Sequence, residues 1–490
     1  MIPPVAALLS WPLVVWVAAR GREPAFILIF CVLGGYLFLP EQGGIDLPAA
    51  GALDKLTIPV LCALLFCSMA QARQTKDITV LTGWLPKQML VIGLISVLII
   101  GPILTVLTNP DAFFSNGQFR PGLRIYDAGA IILAAIYTIL PLLLARKFLA
   151  HPKMHRLLLM SFCIASLIYT PLILFELRMS PQLNNMIYGF FPHSWLQHLR
   201  GDGYRPVVFM HHGLYLSIFL VAAVIATFGL ARLNTGPTRT KFLVTGCMLF
   251  VILVFSKSLG ALVIAVLLIP LVLFLPKRLQ IFAAALIGLI ALSYPVARGA
   301  HLVPVDWLLA KAMSIDPDRA ASLGFRFHFE ELLLQRVEER PLFGWGGYGR
   351  WFLTDQDTVA DGGWIIDMAE SGWVGYFSKF GLLGLPIILI WWRARRDGIG
   401  MESAIIALAL TAGLIDLIPN SGMTPDKWLL AGALWGRLEL GRISESEEQT
   451  VDAPPLRFGA RHPATQAEPN DTGDPVSIYT RQRKRIERRT

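Results

Sequence analysis

Residues 88–108 read QMLVIGLISVLIIGPILTVLT, a run of mostly apolar residues without a charged side chain. Its length matches the roughly 20 residues that an α-helix needs to cross the hydrocarbon core of a bilayer. Comparable runs occupy residues 209–231, 259–275 and 373–392. The chain is 54% hydrophobic and only 16% charged, which excludes an ordinary soluble globular protein. These runs predict an all-α, polytopic integral membrane protein.

Basic residues concentrate in short turns between the apolar runs, for example in residues 146–156, 232–241 and 393–396. The positive-inside rule assigns such turns to the cytoplasm. The arrangement that satisfies every basic turn has about 12 to 13 transmembrane helices, with the N-terminus outside and the C-terminus inside. The net charge of +9 is then an orientation signal, and no nucleic-acid partner is expected.

This topology leaves three stretches outside the membrane, residues 109–127, 177–208 and 298–372. The last is the largest and is where chemistry outside the cytoplasm is expected. From about residue 442 the hydrophobic periodicity stops, and the chain ends in RQRKRIERRT. Residues 442–490 are predicted to be a disordered cytoplasmic tail, either solvated or in contact with anionic lipid headgroups.

Residues 340–349, RPLFGWGGYG, contain Gly344, Gly346 and Gly349 in the G-x-G-x-x-G spacing of a dinucleotide-binding turn. Such a turn requires a buried strand before the first glycine and a helix after the last. Here a charged helical pattern ended by Pro341 comes before the turn, and a polar loop follows it. We therefore reject a dinucleotide site. Two interpretations stay open, a packing turn after a helix or a close backbone approach to a ligand.

Residues 319–340 have apolar side chains at helical spacing, which predicts an amphipathic helix in the large outer loop. Its polar faces carry Arg326, Glu330 and Arg336. Arg326 and Glu330 have the i,i+4 spacing of a surface ion pair. Alternatively, Arg326 turns toward an anion, since a guanidinium grips phosphate oxygens in two places.

Two further stretches place polar groups at the ends of apolar runs. Residues 205–213, RPVVFMHHG, carry Arg205, His211 and His212, and residues 361–375, DGGWIIDMAESGWVG, carry carboxylates that include Asp361. Such groups at the end of a transmembrane helix cost free energy unless they contact water, a partner or a substrate. The alternative is a snorkelling arginine and interfacial histidines for the first stretch, and acids that favour a helix start for the second. No spacing typical of a metal site is present.

In this order, the stretches resemble the superfamily of O-antigen ligases and polysaccharide polymerases, over roughly residues 180–440. The matches are RPVVFMHHG (205–213), SKSLGALV (256–263), R-x-x-x-E followed by RPLFGWGGYG (326–349), and DGGWIIDMAESGWVG (361–375). The resemblance explains the glycines as the P-x-x-G-x-G turn of that superfamily. It implies three parts of the chain: N-terminal transmembrane helices (1–176), a ligase- or polymerase-like core with a periplasmic loop at 298–372 (177–441), and the tail (442–490).

The resemblance implies a metal- and cofactor-independent glycosyltransferase of the bacterial inner membrane with its active site facing the periplasm. Its donor is an undecaprenyl-pyrophosphate-linked glycan, and its other partners are a glycan acceptor, membrane lipid and possible polysaccharide assembly or export proteins. Arg205 and Arg326 match the arginines that hold the pyrophosphate. We add Arg336 and Lys257 as predicted pyrophosphate-binding residues, Lys257 because Leu259 stands where many relatives have arginine.

Ligases of the superfamily carry a histidine where this sequence has Asp361, which favours the polymerase branch. Arg326, Asp361 and His212 are the predicted catalytic residues, with Asp361 or His212 orienting or deprotonating the acceptor hydroxyl. The alternatives are an O-antigen ligase acting on lipid A core or protein, a transporter or flippase for lipid-linked sugars, and an inactive assembly subunit.

Overall fold

The structure, a computed structural model, describes residues 1–47, 51–73, 80–115, 117–200, 203–353 and 358–442. Almost all of the predicted tail, from residue 443, lies outside these ranges. The helices are α1 (Pro4–Ala18), α2 (Pro24–Ile29), α3 (Gly35–Phe38), α4 (Thr57–Arg73), α5 (Met89–Leu107), α6 (Ile125–Phe148), α7 (Pro152–Met179), α8 (Leu183–Tyr188), α9 (Gly213–Arg232), α10 (Gly236–Phe255), α11 (Leu259–Phe274), α12 (Lys277–Gly299), α13 (Val305–Met313), α14 (Pro317–Glu338), α15 (Gly363–Arg393), α16 (Met401–Asp416) and α17 (Pro425–Leu440).

A π-helical turn, Phe30–Gly34, joins α2 to α3, and a 3₁₀ turn spans Trp195–His198. The strands are β1 (Ile45–Leu47), β2 (Gly51–Leu53), β3 (Phe113–Ser115), β4 (Gln118–Arg120), β5 (Leu199–Arg200) and β6 (Gly203–Tyr204). They pair as antiparallel hairpins, β1 with β2, β3 with β4 and β5 with β6. Because helix makes up 71% of the structure and strand only 4%, the predicted helical class is confirmed in its coarse form.

Within the described ranges, seven helices are long and apolar enough to cross a membrane, as expected of a multi-pass membrane protein. They are α5, α6, α7, α9, α10, α12 and α15. Four helical segments are apolar but shorter: α1, the continuous segment from α2 to α3, α4, and α11. The predicted total of 12 to 13 spans includes helices of this shorter kind and stays a prediction.

Helix α9 is the centre of the bundle, since nearly all of its side chains are buried. Helices α7, α10, α11 and α16 pack around it. The apolar run that includes it begins at residue 209, but the helix itself begins only at Gly213. Before the helix, the Glu176 carboxylate of α7 accepts hydrogen bonds from the backbone N–H groups of residues 207 and 208, each at 2.7 Å, and residue 208 has a left-handed backbone with φ of 57°.

The basic turns, which the positive-inside rule places on one side of the membrane, contact one another. Arg146, at the end of α6, pairs with Glu439 of α17 at 2.9 Å, and Arg156 donates to the carbonyl of Leu233. The stretches assigned to the other side also meet, because Ser115 of β3 donates to carbonyls of residues 352 and 353. The predicted grouping of turns is therefore consistent with the fold.

Candidate functional site

Arg326 of α14 and Asp361, which precedes α15, form an ion pair in which Nε lies 3.1 Å from Oδ2. The Nη1 atom of Arg326 also donates to the backbone carbonyl of Pro419 at 3.1 Å. The side chains are 31% and 43% exposed, so both stay accessible to a ligand. Two predicted site residues from separate sequence motifs thus meet.

A mainly apolar groove of about 540 Å³ lies beside this pair, and α11 to α16 contribute to its wall. Its apolar lining includes Leu259, Val263, Ile264, Leu323, Phe325, Phe329, Leu333, Ile365, Ile415 and Ile418. The ionisable side chains along it are Arg326, Asp361, Glu330 and Tyr294. An apolar wall beside an accessible guanidinium is complementary to an amphiphile with an anionic head.

Arg298 and Tyr294 of α12 hold α14 in place beside the groove. The Tyr294 hydroxyl donates to Glu330 at 3.1 Å, and Arg298 lies 3.4 Å from Glu330 and 2.9 Å from Glu331. Burial raises the pKa of the Glu330 carboxyl, although the Tyr294 and Arg298 contacts oppose that shift. The predicted ion pair between Arg326 and Glu330 therefore does not form. Glu330 faces α12, and Arg326 pairs with Asp361 instead.

Arg205 and Lys257 form a second basic group. The Arg205 guanidinium donates to the backbone carbonyl of Lys257 at 3.1 Å, and Lys257 has a left-handed backbone with φ of 54°. Lys257 lies in the turn before α11, whose first residues, Leu259 and Gly260, line the apolar groove. Both predicted phosphate-binding residues are thus tied to the segment that leads into the groove wall.

His212 belongs to a cluster of imidazoles next to Arg205. Its ring centroid lies 4.7 Å from that of His198 and 5.0 Å from that of His193. The rings of His193 and His211 are 5.5 Å apart. Across the described ranges, no group of three or more His, Cys, Asp or Glu side chains is arranged to hold a metal ion.

His212 is also the N-cap of α9, because its Nδ1 accepts the backbone N–H of Leu214 at 3.0 Å. Burial lowers the pKa of His212 to about 3, and the neighbouring His198 and Arg205 contribute to the shift. The ring is thus neutral near pH 7. Since Nδ1 accepts a hydrogen bond, the proton resides on Nε2. In this state His212 can donate a hydrogen bond to an acceptor sugar but has no lone pair left to accept its proton.

Arg336 lies about three turns further along α14 than Arg326, roughly 15 Å by helical rise. Its guanidinium stacks 3.4 Å from the ring centroid of Trp345 and pairs with Glu339 at 2.7 Å. The residue is buried. Its contacts fix the end of α14 against the glycine turn, and the structure does not bring it to Arg326.

The glycine turn docks into a break in α15. At Gly372 the backbone leaves helical geometry, with φ of 63° and ψ of −165°. Residues 345 and 346 donate backbone hydrogen bonds to the carbonyls of Ala369 and Glu370, both at 2.8 Å. On the other side of the break, the N–H groups of residues 373 and 374 donate to the carbonyls of residues 341 and 342 at 2.8 and 3.2 Å. The backbone groups left free by the break in α15 are therefore satisfied by backbone groups of the glycine turn.

Glycine is required where these two backbones touch. A Cβ on Gly344 would lie 2.5 Å from backbone atoms of Glu370 and Ser371, and one on Gly372 would lie 2.4 Å from the carbonyl of Leu342. The glycines of the turn thus serve packing, one of the two interpretations left open by the sequence. The same contact joins the glycine turn to the segment of α15 around Glu370 and Gly372.

Sequence reasoning missed Arg298 and Lys379. Arg298 sits at the end of a predicted span, where a basic residue reads as an interface anchor. Lys379 interrupts an otherwise apolar run in α15 and pairs with Asp367. An intramembrane lysine is itself a signal of function, so this residue was accessible to sequence analysis.

No protein-family model matches this chain, and no curated protein matches it. The resemblance to the ligase and polymerase superfamily accordingly rests on the sequence motifs and stays a prediction.

Proposed function

We propose that this chain is a membrane glycosyltransferase that polymerises undecaprenyl-pyrophosphate-linked repeat units into a surface or secreted polysaccharide. The observation that carries the proposal is the accessible Arg326–Asp361 pair beside an apolar groove of about 540 Å³. The guanidinium supplies a site for a pyrophosphate, and the apolar wall supplies a site for the adjoining part of the polyprenyl chain.

In this proposal the reaction is a direct displacement at the anomeric carbon of the donor. The acceptor hydroxyl oxygen forms the new glycosidic bond while the bond from that carbon to the pyrophosphate oxygen breaks. The hydroxyl proton passes to the Asp361 carboxylate and then to water. The bonding pair leaves with undecaprenyl pyrophosphate, whose added negative charge is stabilised by Arg326.

Arg205, Lys257 and His212 act in the same proposal at the turn before α11. Arg205 and Lys257 add positive charge for the pyrophosphate, and His212 donates its Nε2 proton in a hydrogen bond that orients the acceptor. Arg336 is reassigned from phosphate binding to support of the glycine turn, since its guanidinium is already stacked on Trp345.

The test is a transfer assay with the purified chain in nanodiscs and an undecaprenyl-pyrophosphate-linked repeat unit from its own host. A ladder of added repeats with wild type, absent with Arg326→Ala and present with Arg239→Ala, is the expected result. Arg239 is a matched control because it is an exposed arginine of α10 that lines none of the cavities described. Transfer only after addition of lipid A core would instead identify a ligase.

One observation favours a transporter as the second candidate, namely the Asp367–Lys379 pair within the apolar helix α15. A transporter would move the lipid-linked sugar between leaflets without changing its mass. Recovery of intact donor in the opposite leaflet of a sealed vesicle, with no ladder, would support that candidate over the glycosyltransferase.

A further inference from the structure

The connection between α16 and α17, residues 417–424, contacts the side chain of Arg326. The Arg326 guanidinium donates through Nη1 to the carbonyl of Pro419 at 3.1 Å, in addition to its ion pair with Asp361 through Nε. Because a guanidinium presents its donors in one rigid plane, the two contacts together fix its direction. Ile418 and Pro419 also line the apolar groove. The connection is therefore part of the same site.

The same connection holds the backbone that follows Asp361. The N–H group of Gly363 donates to the carbonyls of Leu417 and Asn420, both at 3.0 Å. The first N–H groups of an α-helix have no partner within the helix, and for α15 the connection supplies one. The position of Asp361, two residues before this contact, thus depends on the α16–α17 connection.

Asn420 anchors the connection to α16. Its side-chain Nδ2 donates to Oδ1 of Asp416, the last residue of α16, at 2.7 Å, and both residues are buried. A hydrogen bond to a carboxylate is roughly twice as strong as one between neutral groups. Further along, Lys427 of α17 donates to the carbonyl of Gly422 at 2.7 Å. Asn420 therefore binds α16 through its side chain and Gly363 through its carbonyl.

We propose that Asn420 is a positioning residue that keeps Asp361 aligned with Arg326. Its side chain is fixed on Asp416, and the carbonyls of its segment bind the guanidinium on one side and the start of α15 on the other. That this alignment serves proton transfer rests on the proposed function. The alignment itself does not, because it is a property of the folded chain.

The first test measures hydrogen exchange by mass spectrometry on the full chain in nanodiscs. Peptides that cover residues 361–366 follow the N–H group of Gly363, and peptides of α5 serve as an internal reference. Asn420→Ala removes the bond to Asp416. We expect exchange about tenfold faster in the first peptides only, because loss of a hydrogen bond to a charged group shifts a local opening equilibrium by that factor or more. Exchange equal to that of wild type overturns the proposal.

A second variant acts on the other side of the contact and leaves the Asp416 bond in place. Gly362 has φ of −75° and ψ of 129°, which alanine also adopts, but a Cβ there would lie 2.5 Å from the carbonyl oxygen of Ile418. Gly362→Ala should therefore separate the two backbones and speed exchange in the same peptides. Gly93→Ala is the matched control, because a Cβ there meets nothing within 4 Å. If Asn420→Ala also speeds exchange in α5, Gly362→Ala decides the question.

The second test uses the transfer assay. Both variants should lower the turnover number by about tenfold or more, since a displacement of about 1 Å at a reacting group can cost about 10²-fold. Combined with Asp361→Asn, each should cost clearly less than the product of the separate losses, because the carboxylate that it positions is already absent. A loss equal to that product overturns the positioning role, as does wild-type turnover in both variants. If exchange behaves as expected but wild type transfers nothing, the glycosyltransferase proposal alone fails.

Discussion

Arg326 and Asp361 lie 3.1 Å apart, and this ion pair joins the amphipathic helix of the large loop to the entry of α15. In the proposed reaction the pyrophosphate competes with Asp361 for the guanidinium. Donor binding would therefore loosen the pair and leave the carboxylate free to accept a proton at the moment the donor arrives.

Replacing Arg326 with alanine is expected to reduce the rate of transfer by about 10²-fold or more, the usual effect of losing one group that stabilises a developing anion. Arg326→Lys should recover only part of the rate, because an ammonium lacks the planar fork of donors. Initial rates in nanodiscs at matched protein levels measure both effects. Wild-type rates in Arg326→Ala would remove this residue from the site.

Asp361→Asn separates the two roles of that carboxylate. We expect the turnover number to fall by about 10²-fold, because the amide cannot accept the hydroxyl proton. Donor affinity should stay equal or increase, because no anion then competes for Arg326. Turnover and donor binding measured separately test this split, and a loss of donor affinity with normal turnover would contradict it.

The difference between the predicted and observed partners of Arg326 shows where sequence reasoning stops. The i,i+4 spacing on α14 predicted Glu330 as the ion-pair partner of Arg326. The Glu330 carboxylate instead contacts Arg298 and Tyr294 of α12. Local spacing reports which residues share a helix face, whereas the choice of partner depends on which helix packs there. The apolar run at residues 88–108, by contrast, predicted α5 (Met89–Leu107) closely, because its length alone is enough to span the bilayer.

The break in α15 was only partly visible in the sequence. The apolar run covers residues 373–392, whereas the helix begins ten residues earlier, at Gly363, and is interrupted at Gly372. Glycines occur both at the break in α15 and in the turn that packs against it. Their mutual contact is a tertiary relationship that no local pattern contains.

Gly372→Ala is expected to destabilise the fold by about 1–3 kcal/mol from backbone strain alone, since its φ of 63° and ψ of −165° belong to a region nearly restricted to glycine. The clash with Leu342 adds to this cost. Gly347→Ala is the matched control, because a Cβ there meets nothing within 4 Å. Thermal unfolding in detergent should show a lowered midpoint for the first variant only, and equal midpoints would refute the docking of the two backbones.

Stability should also fall in mild acid through His212. Its pKa is lowered from 6.5 to about 3 in the fold, so between these values the unfolded chain takes up a proton that the folded chain does not. Stability is complete above pH 6.5 and is lost as the pH falls below it, by up to about 1.4 kcal/mol per pH unit. His212→Asn keeps a capping side chain without a titrating group and should flatten the dependence. Unfolding midpoints at pH 5 and pH 7.5 compare the two, and the same slope in both would exclude His212 as a source.

The Asp367–Lys379 pair should behave as a coupled unit. Asp367→Ala leaves the Lys379 ammonium inside the bundle without its partner, and we expect a loss of about 3 kcal/mol, at the lower end for buried pairs because Lys379 is 22% exposed. The double variant Asp367→Leu with Lys379→Met removes both charges and should recover most of that loss, because apolar side chains replace the pair without leaving an unpaired charge. Unfolding of Asp367→Leu, Lys379→Met and the double variant in detergent completes the cycle. Additive losses would mean that the two side chains do not act on each other.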